Sequence, residues 1–274
     1  MLELMTLTRG EINRYRAAVL AAHRVNAARA GLRFVNALGF CYAFTGGRGD
    51  LPGLFDVLAT RSVDRMWSWA WQWKDELVAR RRVYYGKVLH GRPAYVSLAY
   101  LPHFYALSGN VGDADDYLQA YREGRLSMLA RDIYAAIHAD GPISTWTLRR
   151  RVVPRGTGSG AFQRALAALQ STFLIAKVGE VERGSYSFIW DTFIRWMPQI
   201  AVDAGALTAV RAAAGVLERY LRTVGAAPPR VIAGLFGWPS SLLHDARTNT
   251  QTVIEAAVEG APVLAHRTLG AGRR

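Results

Sequence analysis

A mostly helical α+β fold, made of helix-turn-helix units that each end in a β-hairpin, is what three features of the chain predict. The first is the stretch 132–190. There Ile133, Tyr134 and Ile137 recur at helical spacing until Gly141-Pro142. A second short helix then carries Trp146 and Leu148, and a third holds Phe162, Leu166 and Leu169 on one face. Two β-type runs, 174–181 and 186–190, flank the turn Glu182-Arg183-Gly184-Ser185. Helices followed by a hairpin in this order make a winged helix, in which the third helix enters the DNA major groove. The second feature is repetition. The tail segment LERYLRTVGAAPPRVIAGLFGWP has the layout of IYAAIHADGPISTWTLRRRV, with Gly225 where Gly141 stands. The third is that the first hundred residues also run as helices and then a hairpin. Tandem winged-helix modules are therefore expected at 1–108, 117–198 and 206–270. A small interaction module of the same fold is the other reading of this pattern.

Taken in order, Thr8 and Glu11 form a capping-box signature that opens the first helix, which continues through Ala18, Leu20 and Val25. A second helical run is expected over 27–44, its apolar character interrupted by Asn36. After the polar loop 45–51, Pro52 opens a further helix, PGLFDVLATR. Trp67, Trp69, Trp71 and Trp73 alternate next, on one face if the segment is a strand and around the axis if it is a helix. They suit stacking on unpaired bases or packing a seam between two modules. Burial at a seam is the expectation, with truncation of Trp69 costing about 3–5 kcal/mol. The neighbouring Asp75 and Glu76 read as a solvated helix start. Arg80, Arg81 and Arg82 precede a hairpin over 83–89 and 94–98, turning at His90-Gly91-Arg92-Pro93.

The polar link 108–116 separates this module from the central one. There Ser144 or Thr145 caps the helix that carries Arg149, Arg150 and Arg151. Arg164 lies on the third helix and Arg183 at the hairpin turn. Pro198 and the small residues over 201–206 mark the next boundary. In the last module Ser240 is expected to cap a helix through Arg247, and 253–258 with 262–266 to form the closing hairpin.

Charge narrows the partner. Lys and Arg number 34 against 21 Asp and Glu, a net charge of +13. A surplus of that size favours a polyanion, because each cation that meets a phosphate releases a condensed counterion. Arginine far outnumbers lysine, so a basic but inert surface from GC-rich coding is the competing explanation. With 51% hydrophobic and 20% charged residues the chain is globular, not disordered. A single cysteine, Cys41, excludes an internal disulfide framework, and the six histidines show no metal-ligand spacing. No phosphate-binding loop, dinucleotide fingerprint or Gly-x-Ser-x-Gly elbow occurs, so no cofactor and no metal is expected. No signal core and no run of roughly 18 apolar residues is present, which points to a cytoplasmic monomer with no membrane partner.

The segments GPISTWTLRR, FQRALAALQ and LERYL resemble the AlkZ/YcaQ family of DNA glycosylases, which share a tandem winged-helix architecture. More narrowly, WQWKDELVARRRVYYGKVL, LPHFYALSGN and SFIWDTFIRWMP resemble its AlkZ-related branch. The resemblance covers most of the chain. It implies duplex DNA as partner, alkylated or crosslinked, and N-glycosidic bond hydrolysis as the activity. The family's Gln-x-Gln or Gln-x-Asp signature falls on the phrase FVNAL, with Asn36 at its first position and Leu38 at its second. Breaking the glycosidic bond builds positive charge on the sugar, which an amide or carboxylate oxygen stabilises while holding a water. Asn36 is therefore the candidate catalytic residue. Arg80, Arg81, Arg82, Arg149, Arg150, Arg151, Arg164 and Arg183 are the DNA-binding candidates. The alternatives are a winged-helix transcriptional regulator, a catalytically inactive DNA-binding homologue, and a scaffold that binds protein.

Overall fold

Strand β1 (Met5–Leu7) leads into α1 (Arg9–Ala21), opened by the expected capping box. The Thr8 backbone N–H donates to Glu11 at 2.7 Å, and the Glu11 N–H donates to the Thr8 hydroxyl at 3.2 Å. The computed structural model of the chain describes residues 5–153, 158–182 and 186–271. Arg183 lies outside the described residues.

Helix α2 (Ala28–Leu38) is shorter than the 27–44 run expected. Gly39 stops it with φ of 79°, and residues 40–42 (FCY) turn into strand β2 (Phe40–Tyr42). A side chain at Gly39 would meet the Tyr100 ring at 2.8 Å, so both the backbone and the packing require glycine there. The expected helix after Pro52 is only a 3₁₀ turn, Leu54–Val57. The tryptophans lie on α3 (Val63–Ala79), capped by the Ser62 hydroxyl. Strands β3 (Val83–Leu89) and β4 (Arg92–Ser97) follow, joined at His90-Gly91. Both turn residues have positive φ, 49° and 70°, as a two-residue hairpin loop of this hand demands.

Helices α4 (Leu101–Ala106) and α5 (Asp116–Arg122) connect to the central unit. Its elements are α6 (Met128–Asp140), β5 (Ile143–Ser144), α7 (Thr145–Val152), α8 (Ser159–Ser171), β6 (Ile175–Glu182) and β7 (Tyr186–Thr192). Of the two cap candidates, Ser144 is the one used, accepting from the Thr147 N–H at 3.3 Å. Helices α9 (Phe193–Trp196) and α10 (Pro198–Ala204) lead to the last unit. That unit comprises α11 (Ala209–Val224), β8 (Ala226–Ala227), α12 (Pro229–Phe236), α13 (Ser240–Thr248), β9 (Val253–Val258), β10 (Ala261–His266) and α14 (Thr268–Ala271). Ser240 is the first helical residue of α13 and not its cap, because Pro239 takes that place without a side-chain bond.

The three sheets are built alike. Their strand orders are β2-β4-β3, β5-β7-β6 and β1-β9-β10-β8, so in each the strand after the first helix pairs with the last strand of the hairpin. That is the winged-helix arrangement, repeated three times on a mostly helical scaffold. The chain ends do not stay apart. β1 pairs in parallel with β9, with Met5 opposite Ala256, and α1 packs beside α11. β1 thus joins the last sheet and α1 packs on the last unit, although the first module was expected to begin at residue 1. A three-residue strand carries too little pattern to name a partner some 250 positions away.

The core divides unevenly. The central unit has its own, around Ile133, Tyr134, Phe162, Leu166 and Trp190. The first and last units share a larger one, which also takes in Phe173, Ala176 and Phe193 of the central unit; in it Phe40 meets Phe236 at 5.8 Å and the Tyr220 hydroxyl donates to the Gly49 carbonyl at 2.6 Å. This shared core fixes α2 against α11. Among the described residues no single helix is long and apolar enough to cross a membrane.

Candidate nucleic-acid interface

Helix α2 turns one face inward and another outward. Ala30, Gly31, Phe34, Val35 and Leu38 are buried, while Arg29, Arg33 and Asn36 are exposed. Spacings of four and three put those three exposed residues side by side along the helix. Asn36 therefore stands on a cationic strip. Leu38, two residues on, is about 200° away around the axis and lies in the core at 2% exposure. A polar group there could not join Asn36 at the surface.

The end of α2 is held from the last unit. Arg219 on α11 donates to the Ala37 carbonyl at 2.9 Å and to the Tyr100 hydroxyl at 2.8 Å, with its guanidinium over the Tyr100 ring. A cation at a helix C-terminus meets the negative end of its dipole. Asn36 is thus presented from a rigid helix end and not from a loop.

The predicted arginines occupy separate places. Arg149, Arg150 and Arg151 are exposed on the last turn of α7, and Arg151 is paired with Asp140. Arg164 is exposed on α8. Arg80, Arg81 and Arg82 are exposed on the turn between α3 and β3, with Arg80 paired to Glu76 at 3.2 Å. Arg81, Arg82, Arg149, Arg150 and Arg164 have no acidic partner among the described residues. Their charge is available to an anion. Arg29 and Arg33 were missed in the sequence, although their spacing with Asn36 was the signal that could have found them.

The tryptophans do not share one fate. On a helix they spread around the axis, so Trp73 is buried at 5% and stacks on the half-buried Trp69, while Trp67 and Trp71 are 44% and 39% exposed. The expected burial at a seam is corrected for Trp67 and Trp71. Trp71 does reach the central unit, edge-on to Tyr186 of β7 at 5.4 Å.

Beside that contact lies a charged cluster that the sequence did not announce. Lys74 of α3 and Lys177 of β6 are fully buried, and both ammonium groups donate to the Asp75 carboxylate; Lys177 also pairs with Glu180. The Lys74 ammonium donates to the Tyr186 hydroxyl at 2.6 Å and sits 4.2 Å from the Trp71 ring centre and 5.0 Å from that of Phe188. Asp75 is therefore committed to two cations, not solvated as expected. Burial raises its pKa, but hydrogen bonds with Glu180, Lys177 and Lys74 outweigh that and leave it lowered. Glu180 is raised, first by burial and then by its hydrogen bond with Asp75.

Lys74 titrates at about 8, chiefly because burial disfavours its charge and then because Lys177 repels it. An unfolded lysine titrates at about 10.4. From about pH 8 to pH 10 the unfolded chain then binds more protons than the folded one, and stability rises with pH. Denaturant unfolding should show wild type gaining on Lys74→Met across that window. A difference between the two that is constant with pH would contradict this.

Comparison with known proteins places the chain. None of the curated proteins matches it. Among solved structures, the Streptomyces sahachiroi DNA glycosylase AlkZ is similar in fold, at 14% identity and a TM-score of 0.61 over 98% of this chain and 72% of that one. The family described as AlkZ related matches residues 26–237, from just before α2 to the end of α12. With three winged-helix sheets and most of its length matched, the chain belongs to the AlkZ-related family.

Proposed function

We propose that this protein binds duplex DNA, and that it recognises or excises bases at alkylated or crosslinked sites with Asn36 at the lesion. The observation that carries the reading is the exposed strip Arg29–Arg33–Asn36 on a helix end pinned by Arg219. The unpaired arginines of α7, α8 and the α3–β3 turn support it, since phosphate contacts set position and register without reading sequence. The glycosylase activity named for the Streptomyces structure supports the choice of chemistry. Boundaries at 1–108, 117–198 and 206–270 serve as the working modules, with residues 5–21 assigned to the last one, and the protein acts as a cytoplasmic monomer.

In this reading the Asn36 side-chain oxygen faces the sugar as positive charge develops on it, and the amide holds the attacking water. Removing one such preorganised group typically costs about 10²–10³ in rate. The test is release of methylated purines from duplex DNA by wild type and by Asn36→Ala. Release by wild type that falls about 10²–10³-fold in the variant is expected. Release that survives the substitution would place the active site elsewhere.

A second reading, a binder without the chemistry, is favoured by the buried apolar Leu38 at the second signature position. Binding of alkylated duplex with no base release by wild type would select it.

A further inference from the structure

We propose that the cavity between the first and central units is a binding site for a single unpaired nucleobase, reached along a row of aromatic rings that crosses the seam. The proposal rests on DNA as the partner and names a second place where that DNA is engaged, apart from the α2 face.

The row is continuous. Phe55 meets Trp67 at 5.0 Å, Trp67 meets Phe44 at 5.3 Å, and Phe44 meets Trp71 at 6.1 Å. Trp71 then meets Tyr186 at 5.4 Å, Tyr186 meets Phe188 at 5.5 Å, and Phe188 meets Trp190 at 5.6 Å. Trp67, Trp71 and Tyr186 are each about two-fifths exposed, an unusual concentration of open aromatic surface in one line. Its last three members, Tyr186, Phe188 and Trp190, line a cavity of about 260 Å³ whose other walls come from β3, β4, α7 and α8. That volume is below the roughly 300–1,000 Å³ of sites for drug-sized ligands. It suits one small planar ring.

The polar groups in the walls fit a base. The Trp146 indole lines the cavity, and its N–H has no acceptor and is closed off from solvent, so an acceptor in the cavity reaches it only once the indole turns toward it. A ring nitrogen or carbonyl of a base would satisfy it. Gln163, exposed on α8, brings an amide that can donate and accept on the same base edge. Lys87 of β3 is half-buried in the wall and has no acidic partner among the described residues, so its ammonium is free for the phosphate of the same nucleotide.

This chemistry selects unpaired nucleotides. The π-faces of any base stack on aromatic rings, so the row is tolerant of sequence. The hydrogen-bonding edge that Trp146 and Gln163 address is occupied in a base pair and open in an extrahelical or single-stranded base. A duplex held on the basic faces would keep its paired bases out of the cavity and offer only those that have left the stack.

The experiment compares two probes on the full-length protein at one salt concentration: a short single-stranded deoxyoligonucleotide and the fully paired duplex containing it. Wild type should bind the single strand with quenching of tryptophan fluorescence. Trp146→Phe keeps an aromatic side chain but removes the indole N–H, and Gln163→Ala changes an exposed position. Each should weaken single-strand binding about two- to twelvefold, the loss of one hydrogen bond, and leave duplex affinity unchanged. Equal loss on both probes, or wild type that fails to bind the single strand, would overturn the proposal. Single-strand binding lost in these variants, with no wild-type affinity for any duplex, would support the cavity and overturn the duplex reading of the α2 face.

Discussion

Replacing Asp75 with asparagine is expected to destabilise the protein by about 3 kcal/mol, because it leaves two buried ammonium groups facing a neutral amide. Lys74 and Lys177 are 0% and 1% exposed, and Asp75 is the anion they share. Glu180 remains to compensate Lys177 but does not pair with Lys74. The loss acts at the junction of α3 with β6, so it also loosens the first unit from the central one. Changing Lys74 and Asp75 together, to Met and Leu, should cost less than Asp75→Asn alone. Removing both partners leaves no uncompensated charge. Denaturant midpoints of the two variants check this. An Asp75→Asn midpoint equal to that of wild type would mean that the cluster is not buried as described.

Truncating Trp73 to alanine is expected to cost about 3–5 kcal/mol, the usual range for a buried large aromatic. At 5% exposure it fills the space between α2 and α3, packed against the Gly31 position of α2. Trp69, half-buried and stacked on it at 5.1 Å, should cost less when truncated. Trp67 and Trp71 should cost least, since much of their ring surface already meets solvent. A flat series across the four positions would show that the helix is rotated from the orientation described.

That gradation was hidden in the sequence for a physical reason. Alternate tryptophans fit a strand face as well as a helix, and only the Ser62 cap and the length of the run settle the matter. Features set by local chemistry were legible: the Thr8–Glu11 capping box, the Gly141 stop, a cap at Ser144 or Thr145, and the first hairpin, although its turn is His90-Gly91 alone and Arg92-Pro93 already belong to β4. Features set by distant partners were not. Strand β1 gives no sign that it will lie beside β9, and Phe40 none that it will meet Phe236. Lys74 and Asp75 look like an ordinary charged helix segment until Lys177, about a hundred residues on, is brought to the same carboxylate. Asn36 entered as a candidate through family resemblance, whereas the exposed arginines beside it on the helix needed only helical spacing to be seen.

The salt dependence of duplex affinity tests the central claim most directly. Each arginine in contact with a phosphate adds about 0.9 to the slope of log affinity against log salt. Reversing Arg29 and Arg33 to glutamate should lower that slope by about 1.8 or more and weaken binding to all sequences alike. Reversing Arg149 and Arg150 should do the same from the other unit. An affinity that does not fall with salt, or a slope that both double variants leave unchanged, would contradict the assignment of these faces to DNA.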